Sequence, residues 1–388
     1  MRILVAAERL GRAGGMERYV EIVLAALAER GATLHVLARE VDAVPAGVTA
    51  QRVAWADEHD PPDGAARSEA RRALAEFGPD IAVAHNVMDA GIVTELRAAP
   101  RLAYHIHDHR PCCPNGDRVF PHSGRNCTRA LGRACVLHAV TDGCAYGLRP
   151  RTLALIRRRE QLRDAIAAAD TVIAASRYVA ERAAQSRIPR ERILEIPLPL
   201  PDDAYAEQVA APAQRSIVFA GRVVPQKGLG SLIRAVSRIA ADARPLVRAF
   251  GDGSELAAAR DEAARAGVNL DAPGRVPAET VRAAIDAAAL VVLPSLWAEP
   301  FGYTGIEALA RGRPVIAYDV GGVRTWLDDG VNGVAVPAAD ERALAGAIAA
   351  LLDDRSRRER MGARARRDAE RFRAAPVVGE LLSAYRPG

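Results

Sequence analysis

The feature that most constrains this chain is an alternation of short apolar runs with amphipathic helical stretches, and it occurs twice. Residues 3–7, 33–38, 80–84, 101–106, 171–174 and 193–196 read as buried strands, and residues 17–30, 67–77 and 90–98 as helices. Strands buried on both faces appear as near-continuous apolar runs, and each parallel connection needs a crossover. The pattern therefore predicts a parallel sheet covered by helices. Pro197, Pro199 and Pro201 then break it, and the stretch to Gln214 is rich in proline, alanine and acidic residues. Beyond it the alternation restarts, with strands at 217–220, 246–250, 290–293 and 314–318 and helices at 229–240, 254–266, 278–287 and 303–310.

The expected fold class is α/β, with two Rossmann-like domains facing a cleft. The first domain spans 1–197 and carries a cysteine-bearing insert at 110–150, and a linker covers 198–214. The second domain spans 215–370, and a C-terminal helix at 371–388 packs back on the first. The length of 388 residues fits two domains of roughly 150 each. Open parallel sheets bind ligands beyond the carboxyl ends of their strands, so the functional residues are sought there.

Charge narrows the function classes. The formal net charge is +5, and much of the excess sits in two arginine runs, 149–163 and 355–373. Such runs are read as solvated helix faces with a weak attraction to phosphate-bearing partners, which leaves peripheral membrane contact open. No nucleic-acid-binding motif is present. The N-terminal apolar run ends at Glu8, short of a secretory signal, and no segment reaches the ~20 apolar residues that span a bilayer. The expected location is cytoplasmic.

The strongest chemical signal is the segment Glu299-Pro-Phe301-Gly302-Tyr303-Thr304-Gly-Ile-Glu307, which follows a strand and opens a helix. Backbone amides at a helix N-terminus suit a phosphate, Gly302 permits close approach, and the flanking carboxylates can accept hydrogen bonds from sugar hydroxyls. Upstream, a strand runs into Gly221-Arg222, with Lys227-Gly228 following, and another into Gly251-Asp-Gly253. Arginine and lysine in such turns suit phosphate oxygens. Each segment alone is weak, but together and in this order they are specific.

These motifs, with Gly14-Gly15-Met-Glu17, His107-Asp108 and Ala175-Ser176, resemble those of the family 4 glycosyltransferases, retaining enzymes of the GT-B architecture. The resemblance covers nearly the whole chain. It implies a nucleotide diphosphate sugar as donor, with Arg222 and Lys227 neutralising the diphosphate and Glu299 binding the transferred sugar. Glu307 would hold the ribose, the backbone at Tyr303 and Thr304 the distal phosphate, and Arg275-Val276 would lie near the base. Gly221, Gly251, Phe301 and Gly302 would shape the donor site, and Gly15 would approach the phosphates. His107 would be the active-site histidine, while His105 and His109 are read as loop residues or metal ligands. The chain has no Asp-x-Asp triplet, so no catalytic metal is expected and cationic side chains would stabilise the leaving group. The acceptor hydroxyl could belong to a lipid, a polysaccharide or a small natural product. A sugar-nucleotide epimerase on the same fold and a non-catalytic nucleotide-sugar-binding protein are the rival readings.

All five cysteines lie between Cys112 and Cys144, in a glycine-rich stretch read as a long loop. A subset of the family carries a similar insert, and Cys113, Cys127, Cys135 and Cys144 would match it. Free thiols, a structural zinc or iron site, and disulfide bridges all remain open.

Overall fold

The computed structural model describes residues 1–11, 14–56, 64–147, 149–205 and 215–386. Most of the expected linker, residues 206–214, lies outside them. The chain divides into two compact units, Met1–Pro199 together with Ala374–Gly388, and Leu200–Arg373.

In the first unit, seven parallel strands are laid down as β1 (Arg2–Leu10), β2 (Thr33–Val41), β3 (Val48–Arg52), β4 (Ile81–His85), β5 (Leu102–Ile106), β6 (Thr171–Ala174) and β7 (Ile193–Glu195). Their spatial order is β3-β2-β1-β4-β5-β6-β7. The order reverses between β1 and β4, and this reversal opens a crevice at the carboxyl ends of those strands. Ile3 to Ala7, Ile81 to Ala84 and Leu102 to Tyr104 are almost completely buried, as a sheet covered on both faces requires.

The second unit repeats the plan with β8 (Ser216–Ala220), β9 (Leu246–Phe250), β10 (Leu270–Gly274), β11 (Leu290–Leu293), β12 (Val315–Tyr318) and β13 (Gly333–Val336), in the order β10-β9-β8-β11-β12-β13. Its reversal lies between β8 and β11, which end just before Gly221 and the Glu299 segment. The turns after β8 and β9 nest closely. Gly251 has φ 134°, and a Cβ there would stand 1.9 Å from the Gly221 carbonyl oxygen. Gly251 is thus demanded by backbone packing.

Apolar periodicity does not reveal β3, β10 or β13. All three sit at sheet edges or are short and partly exposed, and β10 contains Pro273 with a register shift between Asp271 and Gly274. Edge strands tolerate proline and polar residues because one side of their hydrogen bonding is unused.

The first arginine run also differs from expectation. It forms the helix Pro150–Ala167, in which Arg159 is 1 % exposed. Leu155, Arg159, Leu162 and Ile166 recur at intervals of three and four, so this arginine shares the buried face. Residues 110–150 contain a helix at Ala134–Thr141 and two short helical turns, where the sequence suggests only a loop. Among the described residues no helix is long and apolar enough to cross a membrane.

Candidate active site

In the second unit, the carboxyl ends of β8 and β11 gather the residues singled out in the sequence. Arg222 follows the Gly221 turn, is exposed, and is unpaired among the described residues. Lys227 ends the helical turn Pro225–Lys227, and the left-handed Gly228 hands the chain to the helix Leu229–Ser237. A Cβ on Gly228 would stand 2.0 Å from the Pro294 carbonyl oxygen, so this turn is pressed against the end of β11.

That contact brings Lys227 to Glu299. The Lys227 ammonium pairs with Glu299 Oε1 and donates to Oε2 at 3.0 Å. The Trp297 indole N–H also donates to Oε2, at 2.8 Å, and the Ser295 hydroxyl to Oε1, at 3.4 Å. Glu299 is only 3 % exposed. A carboxylate offers about four lone-pair sites, so the four hydrogen bonds from these three donor groups saturate it. The Lys227 ammonium also lies 5.3 Å from the centre of the Trp297 ring. A carboxylate this deep requires its counter-charge.

Next along the chain, the helix Tyr303–Ala310 begins at Gly302, whose φ of 96° only glycine adopts readily. No side chain caps this helix. Thr304 ties its start to the end of β8 by donating to the Ala220 carbonyl at 3.1 Å. The Trp326 indole donates to the Phe301 carbonyl at 2.6 Å, and Phe301 is buried. Glu307 lies in the second turn of the same helix, half-buried. Arg275 and Val276 follow β10, Arg275 exposed and Val276 half-buried. The sequence-selected residues of this unit thus converge on strand ends, with Glu299 as a hub rather than an open carboxylate.

The first unit assembles a second cluster. Gly15 begins the helix Gly15–Glu29, whose N-cap Gly14 offers no side-chain cap. Tyr19, one turn on, lies edge-on to His107 with ring centres 4.6 Å apart. His107 follows β5, and its ring nitrogen Nε2 lies 3.1 Å from Nδ1 of His85 at the end of β4. His85 pairs with His105 across the two strands. His105 is bonded at both ring nitrogens, to the Tyr19 hydroxyl at 3.1 Å and to the Tyr385 hydroxyl at 2.8 Å. Tyr385 belongs to the C-terminal helix Ala374–Tyr385.

Burial pushes the His107 imidazole down to about 4, and it holds His85 and His105 well below the usual histidine range. All three are therefore neutral at pH 7. Beside them, burial tends to raise the Asp108 carboxyl. The charge of Arg110, at a 2.8 Å contact, together with hydrogen bonding by Asn86 and Arg110, outweighs that and holds it low.

The potential ligand nitrogens of His85, His105 and His107 lie within 4.8 Å of one another, a spacing that could hold a metal ion. Hydrogen bonds engage both ring nitrogens of His105, Nδ1 of His85 and Nε2 of His107, so a metal taking any of these atoms would displace a tyrosine or another histidine. Sequence reasoning missed His85, Tyr19 and Tyr385. A signal for His85 existed: residues two apart in a strand share a face, so His105 and His107 point together, and a histidine also ends the neighbouring apolar run. Tyr385 had no such signal, since its contact spans 280 positions.

This cluster makes one stability prediction. Tyr385→Phe leaves a buried imidazole nitrogen without its partner, which should cost about 1–2 kcal/mol. A lowered urea midpoint with an unchanged slope would show it, and an unchanged midpoint would contradict the bond.

Comparison with known proteins agrees with this arrangement. The family described as Glycosyltransferase Family 4 matches residues 13–203, and that described as Glycosyl transferases group 1 matches residues 203–368. A D-inositol 3-phosphate glycosyltransferase of Geodermatophilus obscurus is 30 % identical over 409 residues, covering 97 % of this chain and 85 % of the relative. The protein of the same name from Nocardia farcinica is 36 % identical over 193 residues, 47 % of this chain and 42 % of the relative. The chain thus spans about half the length of several relatives that it matches at higher identity. Among solved structures, Anabaena HepE in complex with UDP and glucose superposes with a TM-score of 0.72 at 18 % identity, covering 98 % of both chains. Two parallel-sheet units in the GT-B manner, matched along their length by these families, lead to one conclusion: the chain belongs to the family 4 glycosyltransferases.

Proposed function

We propose that this protein transfers a sugar from a nucleotide diphosphate sugar to an acceptor hydroxyl with retention of configuration. The observation that carries the reading is the Lys227–Glu299 pair, set beside exposed Arg222 at the carboxyl ends of β8 and β11. Arg222 and Lys227 would neutralise the diphosphate, and the start of the helix after Gly302 would add dipolar stabilisation. Glu299, once Lys227 turns to the phosphate, gains free lone pairs for sugar hydroxyls. Glu307 would accept from the ribose hydroxyls. His107, neutral and held by His85, would face the sugar and help order the acceptor. Attack from the face the diphosphate leaves, through a short-lived oxocarbenium-like ion pair, would let a phosphate oxygen take the acceptor proton.

HepE is described with UDP and glucose, which makes UDP-glucose a sensible first donor. Relatives named for D-inositol 3-phosphate and for phosphatidyl-myo-inositol make polyol hydroxyls the first acceptors to screen. Calorimetry with UDP, GDP and dTDP tests the nucleotide site. Glu307→Ala should weaken the preferred diphosphate by about 10-fold, the loss of a charge-assisted hydrogen bond. Unchanged affinity would remove Glu307 from the ribose, and no affinity for any diphosphate would overturn the donor reading.

A further inference from the structure

The helix Pro150–Ala167 borders a cavity that the sugar-transfer site does not use. Arg151, Leu155 and Arg158 recur at intervals of four and three, so they share one flank of the helix. Together with Arg149 before the helix, and Ala145 in the preceding turn, that flank lines a cavity of about 350 Å³. The turn is held in place by Thr152, which is 1 % exposed. Its hydroxyl is shared between the carbonyls of Ala145 at 2.8 Å and Gly147 at 2.5 Å. This ties the short helical turn Cys144–Tyr146 to the start of the helix. Ala145 and Leu155 are both buried, so the wall between the arginines is apolar.

The charges distinguish this cavity. Arg149 and Arg151 are exposed and Arg158 is half-buried. Among the described residues no carboxylate pairs with any of the three. Exposed arginines on other helices do find one: Arg71 meets Glu95, Arg177 meets Glu181 and Arg355 meets Glu359. Acids on the adjoining segments are taken elsewhere, Asp142 by His138 and Asp164 by Arg163. Cations gathered on one small cavity repel one another, and an anion entering it relieves that repulsion. The forked donors of arginine suit the oxygens of a phosphate.

Chain direction places the cavity in the first unit. β5 and β6 are parallel, so the helix between them runs back from the carboxyl ends of the strands to the amino ends. At about 1.5 Å per residue its 18 residues span roughly 27 Å, against roughly 13 Å for the 4 residues of β6. Its first half, which lines the cavity, therefore stands out past the strand ends, on the side where His107 leaves β5.

We propose that this cavity binds a phosphate monoester, as an anion site of the first unit separate from Arg222 and Lys227 in the second. A monoester carries nearly two negative charges at pH 7, which the arginine cluster matches. The volume leaves room beyond the phosphate for a small polyol, and the apolar wall covers its carbon face. A soluble polyol phosphate and a lipid whose headgroup is a phosphate monoester share this chemistry.

Two binding measurements on the full chain test this and separate the sources. One is calorimetry with glycerol 3-phosphate, and the other is sedimentation with phosphatidylcholine vesicles containing phosphatidic acid. The expected result is saturable binding in at least one of them. The double variant Arg151→Gln with Arg158→Gln should weaken it about 10-fold or more, while Arg222→Ala leaves it unchanged. Both substituted positions reach solvent, and thermal melts check that the fold persists. Dimethyl phosphate, a singly charged diester, should bind more weakly than glycerol 3-phosphate, and phosphatidylglycerol vesicles more weakly than those with phosphatidic acid. Binding of glycerol 3-phosphate alone assigns a soluble ligand, and binding of phosphatidic acid vesicles alone assigns a lipid. No saturable binding of either probe below about 5 mM would overturn the proposal. So would equal retention on both kinds of anionic vesicle without binding of glycerol 3-phosphate, or a loss in Arg222→Ala with none in the double variant.

Discussion

Lys227→Ala and Arg222→Ala should each lower turnover by about 100-fold, the usual cost of removing one preorganised charge from a developing oxyanion, roughly 3 kcal/mol. The two variants should differ in everything else. Arg222 is exposed and unpaired among the described residues, so its loss should leave thermal stability unchanged. Lys227 is the counter-charge of a carboxylate that is 3 % exposed, so its removal strands Glu299 and should also lower stability. Glu299→Ala frees the ammonium that the carboxylate held. The double variant Lys227→Ala with Glu299→Ala should therefore be more stable than Lys227→Ala alone, while remaining as inactive as the worse single change. Steady-state kinetics with donor and acceptor in excess, alongside thermal melts of all four proteins, reads both effects. Near-normal turnover in Arg222→Ala and Lys227→Ala would remove the diphosphate from this site. Additive stability losses would show that the pair is not coupled.

Acidification should destabilise the first unit between pH 6.5 and pH 4. His107 titrates near 4 when folded, against ~6.5 unfolded, so the unfolded chain binds more protons throughout that window. Stability is thus fully present above the unfolded value and is lost as pH falls toward the folded one. For His107 alone the loss at pH 5 is about 2 kcal/mol. His85 and His105 act in the same direction, and each proton on the trio opposes the next. Burial raises the Glu8 carboxyl, which titrates with the opposite sign and offsets part of the effect. Urea unfolding at pH 7.5, 6.0 and 5.0 measures this, with tryptophan fluorescence and circular dichroism read together. His85→Gln should flatten the dependence. A midpoint that does not move between pH 7.5 and 5.0 would mean that the histidines are not buried neutral.

The sequence by itself determined the repeated alternation, hence two parallel α/β sheets, because a strand buried on both faces must be apolar along its whole length. It also singled out a set of residues that the structure brings to strand ends in the second unit. Gly221, Arg222, Lys227, Glu299, Gly302 and Glu307 stand in short motifs at strand ends, where local order already implies a turn and a helix start. What it left open depended on contacts between distant positions. The edge strands β3, β10 and β13 carry little apolar signal, because partners rather than composition hold them. Arg159 turned out buried because a helix face is decided by what it packs against, whereas the arginine run read as solvated. Only tertiary structure disclosed that Glu299 spends its lone pairs on Lys227, Trp297 and Ser295. Only tertiary structure, likewise, placed Tyr385 against His105 across 280 positions, where burial sets the protonation of all three histidines. Charge state and hydrogen-bond saturation belong to the environment of a side chain, and that environment exists only once the chain has folded.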